Sequence, residues 1–86
     1  MSTTVIDPRL EQAMQARRRD EFHLLVRVDA ISAARQQTLT ACGLTIRRSL
    51  SLVPTYAVTG SGAAGLSLLG MPGIQRIEED GPVYAL

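Results

Sequence analysis

Residues Glu21 to Asp29 alternate clearly between two kinds of side chain. Phe22, Leu24, Val26 and Val28 fall on one face, and His23, Leu25, Arg27 and Asp29 on the other. A period of two over this length predicts a β-strand with one face turned to the core. The remaining segments can be placed around that strand.

Asp7-Pro8 predicts a helix start, with Asp as the cap and Pro at the first helical position. That helix is expected to run to about Arg19 with a thin apolar stripe of Leu10, Ala13 and Met14, while residues 1–6 fray. After the first strand, Ser32 caps a helix to Cys42, and Gly43 stops it. Leu44 to Val53 reads as a second strand with Leu44, Ile46, Leu50 and Leu52 inward, although Arg48 sits awkwardly in that inward set. Pro54 interrupts, Thr55 to Thr59 forms a third strand, and Gly60-Ser61-Gly62 leads into a short helix of about Ala63 to Leu69. Met71-Pro72-Gly73 then turns the chain into a fourth strand, Ile74 to Asp80.

This order is β-α-β-β-α-β behind a helical leader. It predicts an α+β, ferredoxin-like fold with two helices on one face of a four-stranded antiparallel sheet. Right-handed crossovers place the first and third strands in the centre and the second and fourth at the edges. The expected organisation is a leader (1–20), one domain (21–80) and a C-terminal tail (81–86).

Composition narrows the function classes. With 86 residues the chain makes one small domain, and a 45% hydrophobic content argues against wholesale disorder. A net charge of +1 gives no electrostatic case for nucleic acid or an acidic membrane surface. The single cysteine, Cys42, excludes an intramolecular disulfide framework. The start Met-Ser-Thr-Thr lacks the features of a signal peptide, and no apolar run approaches the about 20 residues of a membrane span, so a cytoplasmic protein is expected.

No catalytic set is legible. His23, the one histidine, lies on the outer face of a strand with no reacting partner, and no serine has a companion base. Gly60-Ser61-Gly62-Ala63-Ala64-Gly65 lacks the Lys-Ser/Thr ending of a phosphate loop and reads as a helix entry. Arg17-Arg18-Arg19 reads as surface charge compensating a helix end. No enzyme activity, cofactor or metal is expected.

The end of the chain is more pointed. The last strand runs into Glu78, Glu79 and Asp80, then an Asp80-Gly81-Pro82 break, then Val83-Tyr84-Ala85-Leu86. In extended chain Glu78 and Asp80 share one side and Glu79 faces the other. Two carboxylates on one side suit the free N–H groups at the start of a partner's helix. The apolar tail beyond suits a groove in which it adds as a strand.

Residues 22–86 resemble the subtilisin propeptide, or inhibitor I9, family. The resemblance is carried by Phe22-His-Leu-Leu-Val-Arg-Val28, Gly43 with Leu44 to Ile46, Tyr56-Ala-Val58, Leu66, Leu68 and Leu69, Pro72-Gly-Ile74 and, most strongly, Ile77-Glu-Glu-Asp80. It implies an inhibitor of a subtilisin-like serine protease. Glu78 and Asp80 would cap two surface helices of the protease, and the tail would lie in the active-site cleft as a product-like strand. By position, Leu86 would fill the primary specificity pocket, Val83 the pocket three residues upstream, and Ala85 the crowded site between, with Tyr84 pointing outward. An additional N-terminal helix and no protease after Leu86 favour a free-standing inhibitor, monomeric when free. A released propeptide acting as an intramolecular chaperone is the alternative within the family. A ferredoxin-like regulatory or ligand-sensing module is the alternative outside it.

Overall fold

The computed structural model describes residues 3–80, so the tail residues Val83, Tyr84, Ala85 and Leu86 lie outside the described residues. The elements are β1 (Val5–Ile6), α1 (Pro8–Ala16), β2 (Glu21–Val28), α2 (Ala33–Ala41), β3 (Thr45–Leu50), β4 (Thr55–Ser61), α3 (Gly62–Leu66) and β5 (Ile74–Glu79). The protein is α+β, with a mixed sheet in the order β1-β5-β2-β4-β3. The β2–β4, β2–β5 and β3–β4 pairs are antiparallel, and β1 pairs with β5 in parallel.

Each helix start follows from local chemistry. The Asp7 carboxylate accepts from the Arg9 N–H at 2.7 Å, and Pro8 needs no partner for its nitrogen. The Ser32 hydroxyl accepts from the Arg35 N–H at 3.2 Å. Gly43 ends the α2 turn at φ +95°, a conformation that side chains with a Cβ rarely adopt. Tyr56, fully buried on β4, joins α2 to the sheet: its hydroxyl accepts from the Ser32 N–H at 3.1 Å and donates to the Ser32 carbonyl at 3.3 Å.

All three helices bury against the face of β2 that carries Phe22, Leu24, Val26 and Val28. Leu10 and Met14 of α1, Leu39 of α2, and Ala64 and Leu68 in and after α3 join that row in one core. Burial of this apolar surface is the main stabilising term.

Several expectations are corrected. Residues 3–6 do not simply fray: Val5 and Ile6 pair with Arg76 and Ile77. The Thr4 hydroxyl donates to the Ile74 carbonyl and accepts from the Gly70 N–H, both at 2.9 Å. The fourth predicted strand, β5, is therefore not an edge, because β1 lies outside it. The first helix ends at Ala16, three residues short of Arg19.

For all its thin apolar stripe, that helix is seated in the core. Met14 is fully buried, and α1 crosses α3 so closely that a Cβ on Gly62 would stand 2.6 Å from the Met14 carbonyl oxygen. The carbonyls of Asp20 and Arg18 accept from the N–H groups of Gly62 and Ala63. The α1–β2 connection thus satisfies the open end of α3.

The second strand departs furthest from expectation. Ile46 pairs with Val58, but Arg48 pairs with Ala57, leaving Arg47 as the extra residue of a β-bulge. Beyond the bulge every side chain changes face. Arg48 escapes the core, where an unpaired guanidinium would be costly, and Leu50 goes outward with it. The strand stops at Leu50, and Leu52, expected inward, is fully exposed in the turn before β4.

Candidate protein-docking face

Among the described residues no helix packs on the opposite face of the sheet, although Thr55, Ala57 and Thr59 of β4 are buried on it between their neighbours. Pairing across the ladders fixes its occupants in rows. Glu78, Leu25, Ala57 and Arg48 form one row, and Arg76, Arg27, Thr55 and Leu50 the next. His23, Thr59 and Thr45 form a third, to which Asp80 is joined by donating its N–H to the His23 carbonyl at 2.7 Å.

Alternation places Glu78 and Asp80 on this face and Glu79, opposite the buried Leu24, on the other side. Glu78 is exposed and Asp80 half-buried. Among the described residues neither has an ion-pair partner; the pairs present are Arg17–Asp20 and Arg35–Asp29, with His23 beside Glu21. Two carboxylates held by a strand, with no cation attached, can accept N–H donors from outside the molecule.

Beside Glu78 lies a shallow, mainly apolar groove of about 370 Å³, lined by Leu25, Arg27, Leu50, Leu52, Val53, Thr55 and Glu78. Leu50 is 43% exposed, Val53 46% and Leu52 completely so. Such a cluster on one face marks an interaction surface more than a scatter of single residues would. Sequence alternation alone missed this groove. The signal was available, since an arginine in an inward set is itself a sign of a bulge.

Other sequence candidates are accounted for at home. The Ser61 hydroxyl accepts from the Ala64 N–H at 3.1 Å. With Gly62 and Ala63 already bonded to the α1–β2 connection, this glycine-rich entry has its first N–H groups taken. The Arg17 guanidinium lies 5.3 Å from the centre of the Phe22 ring. His23 is exposed beside Glu21, 3.4 Å away. Cys42 is half-buried with its Sγ 3.9 Å from Met71 Sδ. Among the described residues no group of three or more His, Cys, Asp or Glu could hold a metal ion. No helix among them is long and apolar enough to cross a membrane.

No protein-family model, curated protein or solved structure matches this chain.

Proposed function

We propose that the protein inhibits a subtilisin-like serine protease by docking its open sheet face and laying residues 83–86 in the active-site cleft. The observation that carries this reading is the placement of Glu78 and Asp80 on the open face, with no ion-pair partner among the described residues, immediately before the tail. The strands β5-β2-β4-β3 have the order of a ferredoxin-like sheet, with β1 as an addition at the β5 side. That arrangement agrees with the propeptide-like resemblance of residues 22–86.

The mechanism is product mimicry. Leu86 and Val83 enter apolar pockets, Tyr84 faces outward and Ala85 fits the narrow site between them. Glu78 and Asp80 accept from the first N–H groups of two protease helices, fixing the register of the tail. A bound tail that already resembles a product gains little from further cleavage, and the docked sheet slows its release.

The test is a titration of residual activity across a panel of subtilisins. Glu78→Gln and Asp80→Asn should each weaken inhibition by about 0.5–2 kcal/mol, and Glu79→Gln should have less effect. Equal losses from all three would indicate diffuse charge attraction, which added salt removes. No inhibition of any member by the wild-type chain would sink the proposal.

A further inference from the structure

We propose that the open sheet face is also a self-association surface, on which a second copy of this chain packs face to face about a two-fold axis. The axis runs parallel to the strands, between β2 and β4. This goes beyond the inhibitor reading, because it needs no protease and rests on how charge and apolar surface are distributed across one face.

A rotation about that axis leaves each row in place and exchanges the two sides of the sheet. Residues of β5 then lie over β3 of the second copy, and residues of β2 over its β4. Glu78 falls over Arg48 of the second copy and Arg48 over its Glu78, giving two opposite-charge pairs from one operation. Leu25 falls over Ala57, Arg27 over Thr55 and Asp80 over Thr45. Arg76 falls over Leu50, where its aliphatic stem provides an apolar surface. No like charges lie directly over each other, although Arg27 of the two copies stand side by side across the axis.

The exposed apolar residues follow the same plan. The large hydrophobics exposed among the described residues are Val5, Leu50, Leu52 and Val53. The last three line the groove at the β3–β4 end, and Val5, paired with Arg76, lies on the same face at the opposite side of the sheet. The rotation carries Val5 of one copy toward Leu50 and Leu52 of the other, and the reverse. Two sheets packed in this way lie about 10 Å apart with nearly aligned strands. Small interfaces are weak, and a dimer held by one face of a short sheet is expected to be concentration-dependent.

Sedimentation of the full 86-residue chain without protease, between about 10 µM and about 1 mM, tests this. The mean mass should rise from the 9.3 kDa of one chain toward twice that value. Glu78→Arg, Arg48→Glu and Leu52→Asp should each hold the protein at the monomer mass, with circular dichroism confirming the fold. Combining Glu78→Arg with Arg48→Glu should restore the rise, because the pair is reversed and not removed. A wild-type mass that stays at 9.3 kDa throughout overturns the proposal. So does a dimer indifferent to all three substitutions, or folded single variants that the double variant fails to rescue. Since no protease enters the measurement, a negative result here leaves the inhibition titration to be judged separately.

Discussion

Arg48 lies opposite Ala57 on the open face of the sheet, one position away from the buried Tyr56 that unbroken pairing would assign to it. The extra residue responsible is Arg47. This one-residue slip moves a guanidinium out of the core and creates the exposed groove around Leu50 and Leu52.

Deleting Arg47 should therefore make the ladder regular without turning Arg48 inward, because Arg48 would follow Ile46 directly and still lie opposite Ala57. Leu50 keeps its place opposite Thr55, and the unfolding free energy should change by only about 1 kcal/mol. Urea denaturation measures this directly. A much larger loss would mean that the fold depends on the bulge itself and not only on the register beyond it.

Met14 is enclosed by α3 and the sheet, so Met14→Ala should cost about 2–5 kcal/mol through lost burial and the cavity left behind. Removing residues 1–20 would strip Leu10 and Met14 from the core and the Asp20 and Arg18 carbonyls from the start of α3. A large fall in melting temperature is expected from that truncation. An unchanged melting curve for Met14→Ala would show that α1 only rests on the domain.

The Asp29 carboxylate takes two hydrogen bonds from Arg35, from Nε at 2.8 Å and from a terminal nitrogen at 3.0 Å. This guanidinium holds the Asp29 carboxyl below its ordinary value, helped by the Ala30 N–H and opposed by partial desolvation. A depressed folded-state value means that the unfolded chain binds the proton more readily. The stabilisation is thus present above the ordinary carboxylate value and is lost as pH falls through the lower, folded value. Asp29→Asn should have a lower melting temperature than wild type at neutral pH, with the gap closing under acid. A gap independent of pH would assign the effect to packing.

Leu86→Asp should abolish inhibition while leaving the fold intact, because an unpaired carboxylate in an apolar protease pocket costs several kcal/mol. Far-UV circular dichroism and the inhibition titration on one sample separate the two effects. Simultaneous loss of structure would place Leu86 in the home core and remove the basis for a substrate-like tail.

Much of the scaffold was legible from local chemistry. The Phe22–Val28 alternation, the caps at Asp7 and Ser32 and the stop at Gly43 all depend on neighbours within a few residues. The division of Glu78 and Asp80 from Glu79 was equally legible, because alternation is a property of the strand itself. Other features depend on residues far apart in the chain. The pairing of Val5 and Ile6 with Arg76 and Ile77 leaves no signature in a two-residue strand. The seat of α1 depends on the missing Cβ at Gly62, which its narrow apolar stripe does not announce. Only tertiary pairing decided the bulge at Arg47, since the faces of β3 after Ile46 depend on how it meets β4. The sequence by itself determined which of the longer segments are strands and helices and which acids share a side. Tertiary structure decided which apolar residues the protein buries and which it leaves exposed, because burial belongs to the packed assembly of elements and not to any one of them.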